Sequence, residues 1–204
     1  MIQGEPRWYI GYDPAELADY SAVVVVQKAE KRMLLVRYIL RYPRGTAYAE
    51  QAKSLAALYR ALVNPLGCIL TADATGLGEP VCQMIEARGV PVKRITITAG
   101  EAEGKSGKST TVPKAKLVGA LVRVIGEDRL RVSNEVENGE ALSDELKAFS
   151  LKRKRTGYEA YEAGGEYHDD LVLATCLAVR EADRGHVIHG VGTYLRLKAA
   201  GEVE

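Results

Sequence analysis

The sequence predicts an α/β fold: a mixed sheet of five strands flanked by helices on both faces. Two observations predict it. Three β-rich runs separated by polar turns open the chain, and helical and strand-like periods then alternate before the chain closes in helices. The opening runs are residues 8–13, 22–27 and 33–40, rich in Val, Ile, Leu and Tyr. Pro14 and the acidic stretch after it connect the first two, and residues 28–32 are polar enough for a hairpin tip. An antiparallel meander is the expected order.

Residues 46–63 then place Ala49, Ala52, Leu55, Leu58 and Leu62 at helical spacing. An apolar run at 67–72 stops abruptly at Asp73, with Gly76 and Gly78 loosening the next turn, as when a buried strand feeds a helix. Residues 81–88 supply that helix, Gly89 stops it, and 92–98 alternate again as a fifth strand. Residues 99–111 carry almost no apolar side chains and are expected to be a mobile loop. Pro113 opens a helix over 114–125, with Leu117, Leu121 and Val124 on one side. A further helix is expected over 143–151, capped by Ser143, then a hairpin over 152–167, then an apolar helix from Asp169 to Ala182 that Gly185 ends.

The chain has 204 residues, 47% hydrophobic and 27% charged, which suits one core: a single domain over 1–204, with its core at about 8–182 and a C-terminal tail at 183–204. No apolar run reaches the roughly 18 to 20 residues of a membrane helix, and no signal pattern opens the chain, so a soluble, intracellular protein with no membrane partner is expected. Cys68, Cys82 and Cys176 are odd in number and set in apolar surroundings, reading as core rather than disulfide or zinc residues. The net charge of +1 announces no nucleic-acid partner, so any such case rests on local charge. Only three asparagines beside many Arg and Glu lean towards a thermophilic source.

Asp13 and Asp73 each end an apolar strand, and Asp169 and Asp170 stand at a helix N-terminus after His168. Singly, each reads as a strand terminator or helix cap. If the two strands are neighbours and the last helix packs on them, the carboxylates converge without cations to pair them, which is costly unless a metal or shared proton neutralises them. Oxygen ligands favour Mg²⁺ or Mn²⁺. Two such ions, about 3.5 to 4 Å apart, activate a water and stabilise the leaving oxygen of a phosphodiester displacement. The catalytic and metal-binding candidates are therefore Asp13, Asp73, Asp169 and Asp170.

The Tyr-Ile-Gly-Tyr-Asp-Pro-Ala run at 9–15, the Asp-Tyr-Ser-Ala run at 19–22 and the following Val run resemble the first strands of the nuclease domain of phage terminase large subunits, a ribonuclease H-like fold. The Asp-Ala-Thr-Gly-Leu-Gly run at 73–78, Val-Pro-Lys at 112–114 and His-Asp-Asp-Leu-Val at 168–172 follow in order, so the likeness spans about residues 8–182. The resemblance implies a metal-dependent endonuclease that cuts double-stranded DNA during genome packaging in the bacterial host's cytoplasm. It implies that Asp13 bridges two ions, Asp73 completes one site, and Asp169 or Asp170 completes the other, with Asp169 the first choice. Its implied partners are double-stranded DNA, a packaging ATPase domain, small terminase and portal. Such subunits carry the ATPase before the nuclease, and this chain starts just before the first strand, so translocation is not expected of it alone.

Residues 102–109 fit a relaxed phosphate-binding loop, but Ala102 replaces the first glycine and Pro113 interrupts the start of the following helix, so a solvated loop is the better reading. Residues 105–116 hold four Lys and no acid, and 147–155 hold five basic residues and no acid. Beside a nuclease centre, Lys105, Lys108, Lys114, Lys152, Arg153, Lys154 and Arg155 are candidates for DNA phosphate contact, with Tyr158 and Tyr161 beside them. His186 and His189 read as surface residues without a third ligand. Alternative readings are a Holliday-junction resolvase or other ribonuclease H-like nuclease, a non-cleaving DNA-binding packaging module, and an actin-like ATPase. Length argues against the last.

Overall fold

The computed structural model describes residues 7–15, 19–64, 66–133, 135–155 and 169–184, with the side chains of all these except 150–155. Its strands are β1 (Trp8–Asp13), β2 (Ala22–Lys28), β3 (Leu34–Arg41), β4 (Cys68–Asp73), β5 (Val92–Thr98), β6 (Gly104–Ser106), β7 (Ser109–Pro113) and β8 (Leu130–Val132). The helices are α1 (Tyr48–Val63), α2 (Gly78–Glu86), α3 (Lys114–Gly126), α4 (Gly139–Arg155) and α5 (Asp170–Arg184). One sheet runs in the order β6-β7-β5-β4-β1-β2-β3-β8. β1, β2 and β3 form the expected antiparallel meander, while β4 lies parallel to β1, β5 to β4 and β7 to β5.

The sheet buries both faces, so its inner strands read as continuous apolar runs. Along β2, Ala22, Val24 and Val26 pack in a core with residues of α3 and α5, whereas Val23 and Val25 join a second core with α1 and α2. All three cysteines are free and buried, as their apolar neighbours implied. Among the described residues no helix is long and apolar enough to cross a membrane.

The five expected strands are the sheet's centre; β6, β7 and β8 extend it at the edges. The expected mobile loop at 99–111 is therefore corrected: it contains β6 and most of β7. Its few apolar side chains do not prevent this, because the β7 backbone pairs with β5 while Val112 reaches the core. This also removes the phosphate-binding loop, whose residues form a hairpin rather than a loop leading directly into a helix. Helix α4 starts four residues before Ser143, whose hydroxyl donates to the Gly139 carbonyl from inside the helix and so is not the cap. The predicted hairpin at 152–167 fails at its start, since Lys152, Arg153, Lys154 and Arg155 belong to α4. Tyr158, Tyr161, His168, His186 and His189 lie outside the described residues.

Candidate active site

In the β1–β4 pair, Tyr12 lies opposite Ala72, so the next residues in register, Asp13 and Asp73, end adjacent parallel strands side by side. The pleat decides where they point. Tyr9 packs in the core shared with α5, and two residues on, a methyl on Gly11 would meet the Ala174 carbonyl oxygen of α5 at 1.9 Å. Asp13, two residues further, shares that face. Having no side chain at Gly11 lets the α5 backbone settle on β1, which carries Asp169 and Asp170 to the same sheet end. Gly78 acts likewise behind Asp73, where a methyl would lie 2.1 Å from the Asp73 carbonyl oxygen.

Asp13 is only 8% exposed. Burial first, then the charges of Asp73, Asp169 and Asp170, push its carboxyl well above the ordinary range. Burial also raises Asp73, opposed by hydrogen bonds from the Thr75 amide (2.8 Å) and hydroxyl (2.5 Å). The four predicted carboxylates therefore feel one another as a cluster. The expectation that no cation pairs them is corrected. Lys114, the first residue of α3, places its ammonium 3.0 Å from Asp169. Arg41, the last residue of β3, forks onto Asp170 through Nε (2.8 Å) and Nη2 (3.1 Å).

Sequence reasoning missed Arg41 and Glu145. Arg41 Nη2 also donates to Glu145 Oε1, and Glu145 Oε2 accepts the Leu171 and Val172 amides at 3.2 and 3.3 Å. Glu145, reaching across from α4, thus caps α5. Burial and Asp170 push its carboxyl up to about 7 despite Arg41.

Of the predicted DNA-contacting lysines whose side chains are described, Lys114 stands among the aspartates. Lys105 pairs with Thr110, which lies level with Ile95 and hence with Asp73, but on the edge strand three places from β4, and the hairpin tip follows at Gly107 and Lys108. There Ser106, Lys108 and Ser109 line a cavity of about 600 Å³ with Glu79, Glu86 and Arg94, on the α2 side. Lys105 is exposed on edge strand β6. Lys152, Arg153, Lys154 and Arg155 form the end of α4.

The donors suit a hard divalent cation in kind, since burial holds the nearby Cys176 thiol protonated and leaves carboxylate oxygens as the ligands. Among the described residues, no three ligating side chains stand close enough to grip an ion as they are.

A mixed α/β sheet with acidic side chains at its central strand ends and a last helix laid across them is a ribonuclease H-like domain. The profile of the terminase RNaseH-like domain family matches residues 10–182, and the chain belongs to that family. It is 24% identical over 169 residues to the terminase large subunit of Thermus virus P23-45, covering 83% of this chain and 30% of that protein. The chain thus spans under a third of that relative's length. The crystal structure of the large terminase nuclease from thermophilic phage G20c with bound zinc has the same fold: TM-score 0.57, 21% identity, 85% of this chain and 80% of that one. A manganese-soaked human cytomegalovirus terminase nuclease domain matches at TM-score 0.57 and 13% identity, over 89% and 85% of the two chains.

Proposed function

We propose that this domain is a divalent-metal-dependent endonuclease that cuts double-stranded DNA by phosphodiester hydrolysis during phage genome packaging. One observation carries this reading: Asp13 and Asp73 lie side by side on the α5 face, with the start of α5 bringing Asp169 into the same anionic cluster. Mutual repulsion and burial make this arrangement costly for the free carboxylates, and a bound dication relieves it. Asp13, Asp73 and Asp169 would hold Mg²⁺ or Mn²⁺, with two ions expected for in-line phosphodiester displacement. When bound, such ions lower the pKa of a coordinated water and stabilise the leaving oxygen.

The chain's own groups do the rest. Thr75 fixes the Asp73 carboxylate through two hydrogen bonds. Lys114 holds Asp169 through its ammonium, which would face a phosphate if a cation took its place at the carboxylate. The α4 basic end supplies sequence-independent phosphate contacts. As part of a terminase large subunit, the domain would work with a packaging ATPase, small terminase and portal as partners.

The test is cleavage of supercoiled and linear plasmid with Mn²⁺, beside a four-way junction of the same length. The parental protein should nick and linearise plasmid, and Asp13→Asn and Asp73→Asn should each abolish cutting. Both variants should remain folded and melt no lower than the parent, because each removes one charge from a repelling set. A strong preference for the junction would favour a resolvase, and parental rates in either variant would remove that residue from the site.

A further inference from the structure

Asp169 and Asp170 are neighbours in sequence with opposite surroundings. We propose that Arg41 and Glu145 are positioning residues that withdraw Asp170 from the cluster and fix the start of α5, leaving Asp169 as the carboxylate that α5 contributes. This rests on the nuclease reading above and assigns roles within that site.

Both oxygens of Asp170 accept from one guanidinium, at 2.8 and 3.1 Å, a fork that lysine cannot reproduce. The same Arg41 donates to Glu145, and its guanidinium carbon lies 5.2 Å from the centre of the Tyr20 ring. Glu145 turns its second oxygen onto the Leu171 and Val172 amides, which have no carbonyl partner within α5. The carboxylates of Asp170 and Glu145 and the charge of Arg41 are largely withdrawn from water: their side chains are 8%, 10% and 21% exposed. Asp169, by contrast, is 25% exposed, and among the described residues its ion pair is with one lysine ammonium, a single point of attachment that a dication can displace.

Arg41 owes its place to an irregularity in the sheet. Along β2 and β3, Val26 pairs with Val36 but Val25 pairs with Tyr38, so Arg37 is an extra residue. This bulge reverses the alternation. Leu34, Val36 and Ile39 all pack in the α5-side core, and Arg41, opposite Ala22, follows Ile39 onto that face. Without the extra residue, Arg41 would face α1.

The experiment uses the whole chain with Arg41→Met, Arg41→Lys, Glu145→Gln, Asp170→Asn, Asp169→Asn and the double variant Arg41→Met/Asp170→Asn. Three quantities are read: Mn²⁺ affinity by calorimetry without DNA, plasmid cleavage, and melting temperature. Arg41→Met, Glu145→Gln and Asp170→Asn should each weaken Mn²⁺ binding by about 10- to 100-fold, the usual effect of losing a group that orients a ligand. They should lower kcat while leaving KM for DNA unchanged. Arg41→Lys should fail to restore either quantity. The double variant should be no worse than the worse single one, because the two groups act as a unit. Asp169→Asn should lose Mn²⁺ binding far more completely than Asp170→Asn. The inference is overturned if Asp170→Asn is as damaging as Asp169→Asn, if Arg41→Met keeps parental Mn²⁺ affinity, or if Arg41→Lys restores it. A parental protein that neither binds Mn²⁺ nor cuts DNA overturns the nuclease reading instead. The positioning role is then decided by melting, where additive effects of Arg41→Met and Asp170→Asn refute it and coupled effects uphold it.

Discussion

Replacing Gly11 by alanine is the sharpest test of how α5 is seated. The added methyl would lie 1.9 Å from the Ala174 carbonyl oxygen and 2.8 Å from the Ala178 nitrogen, both backbone atoms of α5. Such contacts are not found below 3.0 Å, so helix and strand must separate from 1.9 Å to at least that distance, a shift of about 1.1 Å. No flexible side chain can absorb it. Overpacking of this kind costs about 1 to 3 kcal/mol, and the upper end applies because two backbones must part. For a chain of this size each kcal/mol lowers Tm by about 2 to 4 °C, so a fall of about 6 to 12 °C is expected by circular dichroism. The same shift carries Asp169 away from Asp13, and a misplacement of about 1 Å costs about 100-fold in rate. Plasmid cleavage should therefore drop to about 1% of parental while duplex binding is retained. A variant that melts within about 1 °C of the parent, or cuts at the parental rate, would show that the Gly11 contact does not seat the helix.

Stability should pass through a maximum as pH falls. Burial raises Asp73, and burial with neighbouring anions raises Asp13 and Glu145, Glu145 to about 7, so the native protein takes up protons before the unfolded chain does and the urea midpoint should rise from pH 8 to 5. Glu181 and Asp183 behave oppositely. Burial alone would raise them, but Lys93 on Glu181, and Arg123 and Arg129 on Asp183, outweigh it and hold both below the ordinary range. Their contribution is present above the unfolded value of about 4 and is lost as pH drops through the lowered ones, so the midpoint should fall again towards pH 3. A midpoint that only declines from pH 8 downwards would contradict the raised group. Mn²⁺ at about 100 times its Kd should stabilise the fold by about 2.7 kcal/mol, raise Tm by about 5 to 11 °C and be reversed by EDTA. An equal rise in Asp13→Asn would relocate the ion. Changing Lys152, Arg153, Lys154 and Arg155 to glutamine should weaken binding to every duplex sequence and reduce its salt slope by about 0.9 per lost phosphate contact, measured by fluorescence anisotropy. A loss confined to one sequence would speak against phosphate contact.

What the sequence revealed of the site follows from periodicity. Asp13 and Asp73 were legible because each closes an apolar run in a buried strand, and parallel pairing of those strands brings their ends together. The start of α5 was legible because two acids precede an apolar helical pattern. Arg41 was not, since strict alternation along β3 puts it on the other face and only the bulge at Arg37 reverses that. Glu145 looks like an ordinary acid in an exposed helix until tertiary packing carries it to α5. Of the lysine run at 105–116, the charge was legible but its place in the sheet was not. Proximity along the chain grouped Lys105, Lys108 and Lys114, whereas the sheet carries the first two out to its edge hairpin and sets Lys114 at the start of α3 beside Asp169. The strands in that hairpin were missed because Ser and Thr side chains carry little apolar signal, while the pairing is made by backbone.

The threading of the sheet fixes when the acidic cluster comes into being. The β1-β2-β3 meander needs only neighbouring residues and closes early, but β4 and β5 pair with partners reached across intervening helices, and α5 settles on β1 from the far end of the described chain. A chain emerging from the ribosome would carry Asp13 long before Asp169 exists to face it. The acidic cluster would thus be completed in one late step, with the docking of α5, rather than build up during synthesis.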